Sequence, residues 1–165
     1  MNAATLISLI VFAVSFPCRA HLPSSSTLTV NASEREVQCT WKVPLRVLDD
    51  AFLFDSDADG KLSASEWESA KKVIRLEFAS GLTVTANGRP VTLSDGEVAL
   101  NRSEATSIVT VKCGFHLESS GSAVELTSRL LAGVDPLHRT VVRLVGAGRT
   151  RGAVLYSSSR STRLP

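Results

Sequence analysis

Apolar residues recur along this chain with two different spacings. Before residue 44, Val37, Cys39, Trp41 and Val43 alternate with polar residues, and a period of two returns after Gly81. This alternation is typical of strands with one buried face. A shorter apolar segment around residue 28 also favours a strand. The segments on either side of the middle of the chain, from residue 28 to 43 and from 82 to 156, are therefore predicted to contain strands.

The middle of the chain has helical spacing instead. Two apolar stripes flank an acidic segment: Leu45, Leu48 and Phe52 before it, and Trp67, Ala70, Ile74 and Phe78 after it. Residues three and four apart share one face of a helix, so each stripe predicts an amphipathic helix. The first should run from Leu45 to Phe54. The second should end near Ser80, and the whole insertion spans 45–80.

The later strands are short and regularly spaced. Asn87-Gly88 between two alternating segments is a strong hairpin signal, because both residues tolerate the positive φ of the favoured two-residue turn. Further strands are predicted near 97–100, 107–116, 123–131, 140–145 and 152–156. We expect a mainly β fold, an antiparallel β-sandwich that carries a helix–loop–helix between strands 2 and 3.

The first twenty residues differ from the rest. They contain no Asp or Glu, and an apolar run precedes Pro17, Cys18 and Ala20. This pattern predicts a signal peptide over 1–20, with an uncleaved membrane anchor as the alternative. We expect a domain over 21–157, a flexible tail over 158–165, and no further transmembrane segment. The predicted location is periplasmic or extracellular.

Two cysteines lie in the expected mature chain, Cys39 and Cys113, both in strand-like segments. An even number of cysteines in an exported protein favours a disulfide between them. It would close a long loop and stabilise the fold by about 4 kcal/mol in the chain-entropy model. Two free buried thiols are the alternative.

Bulk composition changes the picture little. The 165 residues are 44% hydrophobic and 21% charged, which is a globular composition. The formal net charge is only +2, too small to favour nucleic acid as a partner.

The acidic segment Asp55–Glu66 matches the EF-hand calcium loop. Aspartates occupy loop positions 1, 3 and 5, glycine occupies position 6, where the backbone turns sharply, and glutamate occupies position 12. Ca²⁺ prefers six to eight oxygen ligands, which this spacing supplies. The predicted ligands are Asp55, Asp57, Asp59, the Lys61 carbonyl, Ser63 and Glu66. Ser63 and Glu66 also form a capping-box pattern at the start of the second helix.

Only one such loop is visible, and the single methionine is Met1. Sensor EF-hands expose a methionine-rich groove when calcium binds. We therefore expect a structural site, with an affinity of roughly 10⁻⁴ to 10⁻³ M as in extracellular modules.

The histidines offer one alternative chemistry. His21 would be the first mature residue, where its amine and imidazole together could chelate Ni²⁺ or Cu²⁺. His138 lies in a predicted turn, where capping or loop hydrogen bonding is expected. No set of Ser, His, Asp or Cys residues has the spacing of a nucleophilic catalytic site, so we expect no enzyme.

The order of these features resembles a known domain. His21, the Trp41–Leu45 segment, the acidic loop, the Leu82–Pro90 hairpin and Asp135–Arg139 follow one another as in the extracytoplasmic amino-terminal domain of HupE/UreJ-like bacterial membrane proteins. The resemblance implies a periplasmic β-domain with an EF-hand-like insertion. Proteins of that family continue into a membrane domain that handles nickel or cobalt.

The leading expectation is therefore an exported calcium-binding module that interacts with a membrane or envelope protein. The alternative is an accessory to nickel, cobalt or copper transport that binds a transition metal through His21.

Overall fold

The strand-like segments form two hydrogen-bonded sheets in a computed structural model that describes residues 24–103, 106–119, 122–146, 149–156 and the backbone of 161–163. Ten strands and two helices lie in these ranges, so the fold is mainly β, as predicted. The strands are β1 (Ser25–Ala32), β2 (Glu36–Pro44), β3 (Leu82–Ala86), β4 (Arg89–Pro90), β5 (Glu97–Asn101), β6 (Ile108–His116), β7 (Val124–Ser128), β8 (Arg139–Gly146), β9 (Arg149–Tyr156) and β10 (Ser161–Arg163). The helices are α1 (Leu45–Phe52) and α2 (Ala64–Gly81).

The larger sheet has the strand order β5-β6-β2-β1-β8-β9, and the smaller has β10-β7-β3-β4. Neighbouring strands run antiparallel except β1 and β8, which are parallel with Leu28 opposite Val142. The prediction of a wholly antiparallel fold is therefore wrong at this pair. Apolar alternation shows which face is buried but not the direction of the neighbouring strand. A parallel pair needs a long connection, here supplied by residues 33–138.

Both helices lie between β2 and β3, where the helical spacing predicts them. The first is shorter than predicted, because Leu53 adopts a left-handed conformation (φ 53°) and ends α1 at Phe52. The Asp49 carboxylate then accepts hydrogen bonds from the Phe54 and Asp55 N–H groups. These bonds satisfy backbone donors that the helix no longer uses. Of the residues that the structure describes, neither α1 nor α2 has the length and hydrophobicity of a membrane-spanning helix.

The hairpin predicted at Asn87-Gly88 is confirmed. Both residues have positive φ (50° and 77°) and connect β3 to β4. The Asn87 side chain also accepts a hydrogen bond from the Ala123 N–H, which holds the turn against the segment before β7. Within the predicted flexible tail, Ser161–Arg163 instead pairs with β7 as strand β10.

One buried apolar cluster joins the two sheets and both helices. Its largest fully buried side chains include Trp41 of β2, Ile74 of α2 and Leu126 of β7. The Trp41 and Phe78 rings pack with centroids 5.8 Å apart, which fixes α2 on the larger sheet. The helical insertion therefore stands on the same core as the sheets.

The predicted disulfide is not formed in this structure. Cys39 and Cys113 are free and buried, although they face each other directly across β2 and β6. The Leu117 N–H donates to the Arg35 carbonyl, so odd-numbered residues of β2 hydrogen-bond to β6. The cysteines thus occupy a hydrogen-bonded pair, whose side chains lie farther apart than those of a non-hydrogen-bonded pair. The pKa of Cys39 is raised by its hydrogen bond with Cys113 and by burial, which keeps its thiol protonated.

Candidate metal centre

The acidic loop connects α1 to α2 at the surface. Asp55 is half-buried, and Asp57 and Asp59 are exposed. One carboxylate oxygen from each lies within 4.8 Å of those from the other two, so three of the predicted ligands converge. A group of oxygens at this separation can hold a metal ion.

Backbone N–H groups hold the three carboxylates in place. The Gly60 N–H donates to Asp55 Oδ2 over 2.8 Å, and the Lys61 N–H donates to Asp59 Oδ1 over 2.8 Å. The Asp59 N–H is shared between Asp55 Oδ1 and Asp57 Oδ1. Such bonds are typical of aspartate in tight turns. They orient the side chains toward the loop centre before any cation binds.

The backbone of the loop needs left-handed conformations at two positions. Gly60 has φ 80° and Ala58 has φ 57°. Glycine adopts positive φ without steric cost, whereas other L-residues pay about 1–2 kcal/mol. The predicted sharp turn at Gly60 is therefore present, and it brings the Gly60 and Lys61 N–H groups onto the aspartates.

Glu66, the predicted twelfth loop ligand, lies outside the group of three carboxylates. Its Oε1 accepts hydrogen bonds from the Ser56 N–H (2.8 Å) and hydroxyl (2.7 Å), and its Oε2 accepts from the Ser63 N–H (2.9 Å). These donors, led by the Ser56 hydroxyl, lower the pKa of Glu66 to about 2. The carboxylate therefore stays ionised and already bridges the two ends of the loop.

Ser63 is the N-cap of α2, and the predicted capping box is confirmed. Its hydroxyl accepts a hydrogen bond from the Glu66 N–H, while Glu66 reaches back to the Ser63 N–H. The Ser63 hydroxyl also donates to Glu66 Oε2, so it already has partners within the cap. Its role as a metal ligand, and that of the Lys61 carbonyl, stay predictions.

The crowding of like charges shows in Asp57. The Asp59 N–H lowers its pKa, but desolvation, a hydrogen bond with Asp55 and the charges of Asp59 and Glu66 prevail, and the pKa is raised. A raised pKa means that the ionised form is disfavoured by its neighbours. A divalent cation among these carboxylates would reverse that effect.

The loop is attached to the fold at both ends. Before it, Asp49 caps the Phe54 and Asp55 N–H groups. Near its end, the side chain of Leu62 packs against the buried core, and the Leu62 carbonyl accepts a hydrogen bond from Arg102 Nη2 over 3.2 Å. The loop is therefore tied to the segment after β5 as well as to its own two helices.

A second polar cluster, absent from the predictions, lies at the start of β1 and β8. The His138 Nδ1 is 2.6 Å from the Ser24 hydroxyl, and its Nε2 is 2.8 Å from the Ser26 hydroxyl. Ser24 in turn donates to the Asp135 carboxylate, and Ser26 lies 3.4 Å from the Thr140 hydroxyl. Each of these contacts joins two residues that are more than 110 positions apart in sequence. No local pattern signals their proximity.

Burial argues that this second cluster is structural. His138 is 2% exposed and Ser26 is 3% exposed, whereas Ser24 and Asp135 are half-buried, so the ring and the Ser26 hydroxyl are shielded from solvent. Both ring nitrogens of His138 have partners, as buried polar groups require. Burial lowers the pKa of His138, while the Asp135 charge opposes that shift. The cluster joins the first residues of β1 to the turn before β8.

The signal peptide predicted over 1–20 and the metal-binding His21 lie outside the described residues. No protein-family model and no curated protein matches this chain. The resemblance to the HupE/UreJ-like amino-terminal domain therefore stays a prediction. Among the described residues, the acidic loop has three convergent carboxylates that could hold a metal ion.

Proposed function

We propose that the chain binds one Ca²⁺ in the Asp55–Glu66 loop. The observation that carries the proposal is the convergence of the Asp55, Asp57 and Asp59 carboxylates within 4.8 Å, in a loop with EF-hand spacing. The Lys61 carbonyl, Ser63 and Glu66 complete the set, with Glu66 turning inward from Ser56. Its ionised state and its position at the loop closure support that movement.

The donor chemistry favours Ca²⁺ over other cations. All predicted ligand atoms are oxygens, which select hard cations, and the Asp55, Asp57 and Asp59 group contains no His or Cys that would favour a transition metal. Mg²⁺ requires nearly ideal octahedral geometry and retains several waters. A loop that offers seven oxygens, two of them from one glutamate, suits the larger and more adaptable Ca²⁺.

The role proposed for this site is structural, in an exported and non-enzymatic accessory module. The two sheets would form a β-sandwich, and α1, the loop and α2 would form an EF-hand insertion between the second and third strands. The resemblance to the HupE/UreJ-like domain supports a periplasmic or extracellular setting and an envelope protein as partner. Calcium would then fix α1 relative to α2, and so stabilise the insertion on the core.

Calorimetric titration and thermal unfolding of the protein with Ca²⁺ test the proposal. Wild type should bind one Ca²⁺ with a Kd of roughly 10⁻⁴ to 10⁻³ M, and its Tm should rise at millimolar Ca²⁺. Glu66→Gln should weaken binding by at least about tenfold, because it removes a charged bidentate ligand.

Glu68→Gln is the matched control. Glu68 is an exposed glutamate on the same helix that pairs with Lys71 rather than with the loop. This variant should bind Ca²⁺ like wild type. Wild-type protein that gives neither heat nor a change in Tm at millimolar Ca²⁺ would refute the calcium site. An equal loss of Ca²⁺ affinity in the Glu66→Gln and Glu68→Gln variants would refute the role of Glu66 as a ligand.

A further inference from the structure

Strand β9 forms one edge of the larger sheet, and half of its backbone N–H and C=O groups point away from the sheet. The Arg139 N–H donates to the Ser24 carbonyl, so odd-numbered residues of β8 bond to β1 and even-numbered ones bond to β9. Leu144 of β8 lies opposite Arg151 of β9, so the odd-numbered residues of β9 are the ones that hydrogen-bond to β8. Thr150, Gly152 and Val154 must therefore direct their N–H and C=O groups outward.

No described residue forms a hydrogen bond with these outward groups. The opposite edge of the sheet differs, since Arg75 of α2 donates to the Gly96 carbonyl just before β5. Exposed strand edges can pair with another chain, and proteins usually cover or blunt them. Strand β10 lies close to β9 but pairs with β7, so among the described residues no strand is paired with the outward edge of β9 along Thr150–Val154.

The strands around this edge are strongly basic. β1, β8 and β9 contain no Asp, Glu or Lys but have four exposed arginines: Arg139, Arg143, Arg149 and Arg151. Among the described residues, the salt bridges involve other side chains. Elsewhere in the same sheet, opposite charges lie together, as where Glu97 faces Lys112. Within the described residues, β1, β8 and β9 therefore carry positive charge with no acidic side chain of their own to offset it.

The arginines lie on both faces of the sheet. Arg139 and Arg143 share the outer face with Val141, whereas Arg151 is opposite the buried Leu144 and so points to the inner face. Arg149 follows the same alternation as Arg151. A flat anionic surface such as a membrane could contact only one of these pairs. An added strand has side chains that alternate between faces, so acidic residues on it reach both pairs.

Apolar side chains near the edge complete the surface. Val141 and Val154 face each other on the outer face and are 42% and 44% exposed. Next to them, the Arg139 guanidinium lies 5.7 Å from the centre of the Tyr156 ring. Tyrosine and arginine are enriched among residues that dominate protein–protein binding energy. Gly152, opposite Arg143, leaves this part of the edge without a side chain.

We propose that β9 receives an extended acidic segment of a partner protein as an additional strand of the sheet. The backbone groups of Thr150, Gly152 and Val154 supply the hydrogen bonds, and Arg143, Arg149 and Arg151 supply charge complementarity. Main-chain pairing gives affinity and side-chain contacts give selectivity in this mode of recognition. The proposal is independent of calcium binding.

The test uses a fluorescein-labelled eight-residue peptide in which Glu alternates with Thr and Val, and a matched peptide with Lys in place of Glu. Fluorescence anisotropy should detect binding of the acidic peptide but not of the basic one. Amide exchange at Thr150, Gly152 and Val154 should slow when the acidic peptide is added, because these N–H groups become bonded.

Val154→Pro is the decisive variant. Proline removes an outward N–H but leaves the ladder with β8 intact, since Val154 does not bond to β8; proline is tolerated at such edge positions. Affinity should fall about tenfold or more because a hydrogen bond and close pairing are lost. Thr150→Pro is a second variant of the same kind. Circular dichroism and the Tm establish that each variant is folded.

Arg151→Glu tests the charge, with Lys72→Glu on the exposed face of α2 as the control of equal charge change. The first should lower peptide affinity about tenfold and the second should not. Failure of the acidic peptide to bind, or binding unaffected by both proline variants, would overturn the proposal. Binding to phosphatidylglycerol vesicles that Arg143→Glu abolishes and Val154→Pro preserves would assign the surface to lipid and overturn it as well.

Discussion

The helical insertion and the β1-β8-β9 half of the larger sheet use charge in opposite ways. The insertion, residues 45–81, contains eight acidic and five basic residues, and three of its carboxylates converge within 4.8 Å. The half-sheet contains four arginines and no acid, and spreads them over two faces. Converging charges of one sign suit a small cation, whereas dispersed charges suit an extended partner. The net charge of the whole chain, +2, therefore reveals neither the acidic insertion nor the basic half-sheet.

The two regions also differ in how their polar groups are held. The acidic loop is exposed and is organised by its own backbone N–H groups, within a few residues of sequence. The half-sheet is joined at its base by the buried Ser24, Ser26, Asp135 and His138 cluster, which connects distant segments. Damage to the first should therefore remain local, and damage to the second should affect the stability of the whole fold.

His138→Ala should produce the largest loss of stability. It removes a 2% exposed side chain and takes one hydrogen-bond partner from each of the Ser24 and Ser26 hydroxyls. Cavity formation and the loss of two hydrogen bonds together should lower the free energy of unfolding by about 2–4 kcal/mol. Urea unfolding measures the change, and calcium affinity of the folded variant should be unaltered.

His116→Ala is the control for this substitution. The His116 side chain is 82% exposed and its Nδ1 lies 3.8 Å from Glu36. Its removal should change stability by no more than about 0.5 kcal/mol. Equal effects of the two substitutions would contradict the structural role of the buried cluster.

Acidification should weaken the half-sheet through the same histidine. Burial lowers the pKa of His138 from its ordinary value of 6.5. Well above pH 6.5, His138 is neutral in the folded and in the unfolded protein. As the pH falls below 6.5, the unfolded chain binds a proton at His138 before the folded protein does. The free energy of unfolding should therefore fall as the pH drops below 6.5, by at most about 1.4 kcal/mol per pH unit. Urea unfolding as a function of pH measures this dependence.

The His138→Asn variant isolates that contribution. Other titrating groups are common to both proteins, so the difference between the two pH profiles reports mainly on His138. The variant should have a flatter profile over this range. Parallel profiles would show that His138 does not resist protonation in the folded protein. Desolvation raises the pKa of the Asp135 carboxyl group, but hydrogen bonds from Ser24 and Leu137 outweigh it and the pKa is lowered. Asp135 therefore titrates at lower pH than an ordinary aspartate.

Gly60→Ala should lower the free energy of unfolding by about 1 kcal/mol, which is less than the loss expected for His138→Ala. A Cβ at Gly60 would meet no atom within 4 Å, so the cost arises from φ 80° alone. The same variant should bind Ca²⁺ more weakly, because the Gly60 and Lys61 N–H groups that orient the aspartates would shift. Thermal unfolding without Ca²⁺ and calorimetric titration measure the two effects.

Gly133→Ala provides the matched comparison. A Cβ there also meets nothing within 4 Å, and the backbone φ of Gly133 lies outside the left-handed region. This variant should be as stable as wild type or slightly more so, since alanine restricts the unfolded chain. Identical behaviour of the two glycine variants would show that the loop backbone relaxes without cost.

The acidic insertion could be largely predicted from sequence because its determinants are local. The helical stripes, the Ser63 and Glu66 capping box and the aspartate spacing all act within one or two turns of chain. The Asn87-Gly88 turn was predictable for the same reason. The early end of α1 was not, because the left-handed Leu53 has no signature of the kind that glycine provides.

By itself, the sequence determined which segments become strands or helices, which faces are buried and which carboxylates can converge, since these depend on residues a few positions apart. Tertiary structure alone decided that β1 and β8 run parallel, that His138 meets Ser24 and Ser26, and that β9 lies at an edge. It also brought Cys39 opposite Cys113 without linking them. Strand order and direction depend on packing between distant segments, and a period of two is the same for every partner that a strand could choose.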